Sequence, residues 1–148
     1  MVCLGNICRS PLAEAILRQK SEQLDLDIHI DSAGTSDYHI GESPDQRSSE
    51  NALTNGLDIS YLRARQFMVE DFDRFDRIFV MDRSNKENVL RLSRGDEDSK
   101  KVDLILNLTH PGSNMEVPDP YFGGAKGFQH VYELLDEATD RIIEELDH

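Results

Sequence analysis

Apolar residues recur along this chain in two rhythms, one helical and one strand-like. Leu12, Ala13, Ile16 and Leu17 lie on one helical face and predict a helix reaching about Gln23. Ser10 followed by Pro11 reads as its start, with serine at the N-cap and proline at N1, where a missing N–H costs nothing. The stretch "DIHIDS" (Asp27 to Ser32) alternates and stops short of Gly34, which predicts a strand. Pro44 to Asn55 reads as a second helix with Gly56 as its C′ residue. "RIFVM" (Arg77 to Met81) is a short apolar run that suits a strand buried on both faces. Ser84-Asn85-Lys86-Glu87 reads as a capping box opening a helix through Leu92. Val102, Leu104 and Leu106 alternate with other residues as in a sheet strand. Phe128, Val131, Leu135, Ala138 and Ile142 repeat every three or four residues and predict a long C-terminal helix.

Strand and helix alternate, so the expected class is α/β, with a parallel sheet covered by helices on both faces. Ligands of such sheets sit beyond the carboxyl ends of the strands. Cys3 would stand at the end of the first strand, just ahead of a helix, which suits an anion site. Only Met1 and Val2 precede it, whereas a strand usually has about five or six residues. The first strand is therefore expected to be cut short at its N-terminal end.

With 148 residues, 38% of them hydrophobic, the chain can fill one core, and a single domain over residues 1–148 is expected. The formal charge of −13 argues against nucleic acid or an anionic membrane surface as partner. An anionic substrate would need a strongly local positive site. No stretch approaches the roughly 20 apolar residues of a membrane span, and no secretory leader is evident. Two cysteines, Cys3 and Cys8, make no disulfide framework, so a cytoplasmic location is expected. The histidines His29, His39, His110, His130 and His148 lack metal-ligand spacing. Neither a metal nor another cofactor is expected.

The opening string "MVCLGNICRSP" carries the candidate chemistry. A C-x5-R spacing arises by chance in about one chain in ten of this length, so its context matters. A loop that ends at a helix N-terminus aims several backbone N–H groups at one point, and the helix dipole adds positive potential. Gly5 would permit a positive φ or a close backbone approach. A cysteine facing that cradle is expected to be substantially thiolate. Arg9 is a planar fork able to hold two phosphoryl oxygens, and Asn6 and Ser10 can hydrogen-bond within the loop. These are the requirements for nucleophilic attack on phosphorus. Far downstream, Pro118 and Pro120 flank Asp119 and stiffen its backbone, which without the cysteine loop would read as an ordinary Asp-Pro turn.

"CLGNICRSP" resembles the active-site signature of the low-molecular-weight protein tyrosine phosphatases. "DSAGT" (Asp31 to Thr35), "YHIGESPDQRS" (Tyr38 to Ser48), "ARQ" (Ala64 to Gln66), "MDRSN" (Met81 to Asn85) and "DPY" (Asp119 to Tyr121) are similar to that family's blocks, in order. The resemblance implies a four-stranded parallel sheet, a phosphate loop after the first strand, a cysteinyl-phosphate intermediate and no metal. It casts Cys3 as nucleophile, Arg9 as phosphate clamp and Asp119 as general acid. Leu4, Gly5, Asn6, Ile7, Cys8 and Ser10 would form the cradle for phosphate or another oxyanion, with Asn6, Ser10 and Ser32 ordering it. Tyr38, Tyr121 and Phe122 would wall a cleft for an aromatic ring. The implied substrate is a phosphotyrosine protein or a small aryl phosphate. The resemblance also suggests reversible oxidative inactivation through a Cys3–Cys8 disulfide.

One departure concerns the loop network. The family usually has a bonded histidine two residues before the "ARQ" alanine, where this chain has Leu62, so a less braced loop is expected. Related functions compete with the tyrosine phosphatase reading. Thioredoxin-coupled arsenate reductases of similar fold relay electrons through cysteines beyond the loop, and this chain has none there. Arginine-phosphate phosphatases of the same family carry threonine where this chain has Ile7, and isoleucine favours an aromatic ring over a guanidinium. A non-enzymatic binding module would need a damaged catalytic set, whereas Cys3, Arg9 and Asp119 are all present.

Overall fold

Side chains alternate between two buried layers along the central strands, and this alternation sets the architecture. The structure, a computed structural model, describes residues 1–121 and 124–147. Four short strands, β1 (Val2–Cys3), β2 (Ala33–Gly34), β3 (Ile78–Val80) and β4 (Val102–Leu104), form one all-parallel sheet in the order β2-β1-β3-β4. Val2 pairs with Ala33 on one side and Val80 on the other, and Cys3 pairs with Gly34. Ile78, Phe79 and Val80 face Val102, Asp103 and Leu104.

On one face Cys3 and Phe79 pack with Leu12, Ile16, Leu135 and Ile142 from helices α1 (Arg9–Gln23) and α6 (Ala125–Leu146). Ala52 of α2 (Gln46–Thr54) joins that layer. On the other face Val2, Ile78, Val80 and Leu104 meet Phe72 of α3 (Asp71–Arg74) and Val89 of α4 (Arg83–Leu90). A further short helix, α5 (Asp96–Ser99), precedes β4. The expected α/β sheet with helices on both faces is present. So is the C-terminal helix, with Phe128, Val131, Leu135, Ala138 and Ile142 all buried. Gly56 follows α2 with φ +81°, the left-handed geometry that glycine adopts without strain.

Four expectations need correction. Asp27 to Ser32 is not a strand, although burial alternates through it; regular pairing begins at Ala33, where β1 lies alongside. There the Asp31 carboxylate accepts from the Ser32 N–H (2.9 Å) and from Arg65 Nε (3.0 Å). Ser10 is not the cap of α1, because Cys8 holds that position and no side chain caps it. Ser84 does not open α4. Asp82 does, in a reciprocal capping box with Asn85, and the helix ends at Leu90. Leu106 leaves the strand and lies in the 3-10 turn Ile105–Asn107.

Candidate active site

Cys3 ends β1, residues 4–8 form a loop, and Arg9 opens α1. The loop lies directly on β2. A Cβ on Gly34 would stand 2.7 Å from Leu4 O and 3.0 Å from Asn6 N, closer than van der Waals contact allows, so only glycine lets the loop seat. The left-handed residue in the loop is Asn6 (φ 58°) rather than Gly5. What Gly5 supplies is room, since a Cβ there would meet His39 Cδ2 at 2.9 Å.

Donors converge on the Cys3 sulfur: the Asn6 N–H at 3.3 Å and the Ser10 hydroxyl at 3.0 Å. The direction of the second contact follows from residues behind it. Glu14, buried on α1, accepts from Ser32 Oγ (2.6 Å) and from Arg18 (2.6 Å). A carboxylate only accepts, so Ser32 donates to it and accepts from Asn6 Nδ2 (3.0 Å). Asn6 Nδ2 also donates to Ser10 Oγ (2.7 Å), and Asn6 Oδ1 accepts from the Arg65 N–H (3.0 Å). The Ser10 proton then has the sulfur at 3.0 Å or Ala33 O at 3.4 Å, and the shorter contact is the sulfur. Leu62 packs against the apolar cluster instead. The polar bracing comes from Glu14 with Arg18 and from the Arg65 backbone. Sequence reasoning passed over both, although Glu14 and Arg18 stand at the i,i+4 spacing of a helical ion pair.

Arg9 is 2% exposed. Its Nη1 donates to Asp82 Oδ2 (2.8 Å) and to Val117 O (2.9 Å), and its Nη2 lies 3.7 Å from Asp119 Oδ2. The guanidinium is thus fixed from behind by a charge-assisted bond. Asp119 accepts from the Tyr121 N–H through Oδ1 (3.0 Å), which leaves Oδ2 toward Arg9. Burial, with the Asp45, Cys3 and Asp119 charges nearby, pushes the Cys8 thiol up to about 12. Both cysteines are free thiols.

A cleft of about 260 Å³ brings Cys3, Arg9 and Asp119 together. Its walls are Leu4, Gly5, Ile7 and Cys8 from the loop, with Tyr38, His39 and Tyr121 opposite. Asn6, Ser10 and Ser32 lie buried behind it. Phe122 lies outside the described residues. His39, which bonds Glu42, was not anticipated; its place beside Tyr38 in "YHIGE" was the available signal. Arg47, bonded to Asp45, lies over the rings of Tyr121 (5.3 Å) and Phe128 (5.0 Å). Among the described residues, no group of three or more His, Cys, Asp or Glu could hold a metal ion. No described helix is long and apolar enough to cross a membrane.

The sequence model of the low molecular weight phosphotyrosine protein phosphatase family matches residues 1–148. The chain belongs to this family. A phosphatase of that name from Schizosaccharomyces pombe is 40% identical over 148 residues, covering 98% of this chain and 94% of its own. The phosphatase fold is shared as closely. The crystal structure of a protein tyrosine phosphatase from Entamoeba histolytica, with HEPES in its active site, superposes with a TM-score of 0.91. It is 36% identical and covers 99% of this chain and 94% of that one. A Drosophila arginine phosphatase gives a TM-score of 0.90 at 30% identity, covering 99% and 96%. As a member of a phosphatase family, the chain is an enzyme of phosphate ester hydrolysis.

Proposed function

We propose that this phosphatase hydrolyses phosphotyrosine and other aryl phosphate monoesters through a cysteinyl-phosphate. The observation that carries the reading is the meeting of Cys3 Sγ, the Arg9 guanidinium and the Asp119 carboxyl in one cleft with aromatic and apolar walls. Arg9 and the loop N–H groups hold the equatorial phosphoryl oxygens. The Cys3 sulfur attacks phosphorus, and the bond to the phenolic oxygen breaks. Asp119, in its acid form, gives that oxygen a proton, because a phenolate with a conjugate pKa near 10 leaves poorly. Water then attacks the thiophosphate, Asp119 takes the water's proton, and the sulfur departs as thiolate with release of inorganic phosphate. Tyr38 and Tyr121 flank the ring.

Cys3→Ser should abolish turnover while leaving oxyanion binding largely intact, and residual aryl phosphatase activity in that variant would overturn the mechanism. Asp119→Asn should slow cleavage by roughly 10²–10⁴ for poor leaving groups. The loss should shrink as the leaving group becomes more acidic; an equal loss across the series would make Asp119 a positioning group.

The likeness to the Drosophila arginine phosphatase supports a second reading, phosphoarginine as substrate. Ile7 in the cleft wall offers apolar contact to a ring and no hydroxyl to a guanidinium. Comparing kcat/KM for phosphotyrosine and phosphoarginine peptides decides between them, and the expected order is phosphotyrosine first.

A further inference from the structure

Leu4 and Tyr38 line the candidate active-site cleft, and they also line a second depression on their far side. This groove, about 470 Å³, runs from Thr35 and Gln66 across to Asn88, Arg91 and Leu92. Leu4, Tyr38 and Leu92 are well exposed there, at 40%, 73% and 43%, so the wall between cleft and groove is an apolar ridge. A chain whose aromatic ring entered the cleft could cross that ridge directly.

The groove is lined by hydroxyl and amide groups that can donate, by Asp37, and by one cation, Arg91. Arg91 is the decisive one. On this chain of net charge −13, every arginine except Arg63 and Arg91 pairs with a described carboxylate. Arg63 turns to the Ser60 and Leu62 carbonyls. Among the described residues, the Arg91 guanidinium has only the neutral Asn88 Oδ1, at 2.9 Å. The Thr35 hydroxyl is buried and without a partner among the described residues. Gln66 Nε2 spends one bond on Thr35 O, at 3.3 Å. Asp37 lies in the same groove, yet it forms no ion pair with Arg91, so the guanidinium keeps its charge for an incoming anion.

We infer that this groove is a substrate subsite that takes the segment beside the phosphotyrosine, with Arg91 selecting an acidic residue in it. The inference rests on the phosphotyrosine reading of the cleft. Leu4 and Tyr38 border both depressions, and an extended substrate chain advances about 3.3 Å per residue, so the selected residue lies at a position flanking the phosphotyrosine.

The test measures kcat/KM at 0.15 M salt on three phosphotyrosine peptides with Glu, Ala or Lys at those flanking positions. p-Nitrophenyl phosphate, which is too small to reach the groove, serves as reference. The parent enzyme should prefer the Glu peptide over the Lys peptide by about fivefold, the scale of a partly exposed ion pair. Arg91→Glu should invert that order and leave p-nitrophenyl phosphate hydrolysis unchanged. Equal rates on the three peptides, a preference for Lys in the parent, or an unchanged order in Arg91→Glu would each overturn the subsite. Absence of p-nitrophenyl phosphate hydrolysis in the parent would instead remove the phosphatase reading of the cleft, and the subsite with it.

Discussion

Glu14 sits within the first turns of α1, 3% exposed, and its acceptor-only carboxylate makes Ser32 a donor to it, which frees Ser32 Oγ to accept from the Asn6 amide that also supports Ser10 beside the sulfur. Glu14→Gln keeps the shape but introduces an amide that can donate, so Ser32 loses its forced direction and Asn6 Nδ2 its assured acceptor. We expect kcat to fall about tenfold, a loss on the scale of one hydrogen bond to a charged group, with little change in KM; a change confined to KM would contradict the ordering role. Cys8, on the same loop, makes a prediction of opposite kind. Its folded pKa, about 12, exceeds the roughly 8.5 of an exposed cysteine. Above that lower value the unfolded chain loses a proton that the folded chain keeps. Stability is therefore complete below pH ~8.5 and falls toward pH 12, at up to ~1.4 kcal/mol per pH unit from this group. Cys8→Ser, which has no proton to lose there, should flatten the alkaline limb of a denaturation series. The residue types of this site were readable in "CLGNICRSP", but their local geometry was not. Ser10 looked like a helix cap because serine caps helices, yet its hydroxyl goes to sulfur, and the positive φ fell on Asn6 rather than Gly5. Both outcomes depend on what lies across the loop, which local preference does not encode.

The first turn of α2 ties the two candidate catalytic loops together. The Asp45 N–H donates to Ile7 O (2.8 Å) and Ser48 Oγ donates to Cys8 O (3.1 Å), holding the loop that follows Cys3. From the same turn Arg47, paired with Asp45, covers Tyr121, two residues beyond Asp119. Arg47→Met removes the guanidinium face and its fork. We expect it to loosen the loop that carries Asp119, the proposed acid, so that kcat for a phenyl ester falls several-fold more than kcat for p-nitrophenyl phosphate. The affinity for inorganic phosphate, which the proposed cradle would hold, should stay the same. Equal losses on both esters would assign Arg47 to general stability. Elements with strong periodicity, such as α6 and β3, could be read directly from the sequence, because burial of one face decides them. The boundaries that failed were those fixed from outside. Asp82 caps α4 with Oδ1 and holds Arg9 with Oδ2, a double duty invisible to a search for local capping patterns. The "DIHIDS" alternation matches its burial, but pairing requires a neighbouring strand and starts only at Ala33.

At the scale of the whole molecule, two opposed electrostatic terms meet at one cleft. The order β2-β1-β3-β4 places β1 between two neighbours, so the loop after Cys3 opens beyond the carboxyl ends of the strands, where this architecture gathers ligands. Beside the sulfur the Asn6 N–H lies at 3.3 Å, and with Arg9 lining the same cleft the proposed cradle would attract an anion. Farther out, a net charge of −13 repels it. The two terms have different ranges, and salt separates them. Raising ionic strength from 0.01 to 0.1 M shortens the screening length from about 30 Å to about 10 Å. That removes much of the repulsion from distant carboxylates, while contacts at hydrogen-bond distance, shielded from solvent, are weakened far less. For a dianionic aryl phosphate we therefore expect kcat/KM to rise over this range, with kcat nearly constant because the bound complex is already past the repulsive field. Sodium chloride is the salt to use, since phosphate and sulfate would compete for the cradle. A fall in kcat/KM over the same range would mean that the attractive field of the cleft extends well beyond its walls and outweighs the acidic surface.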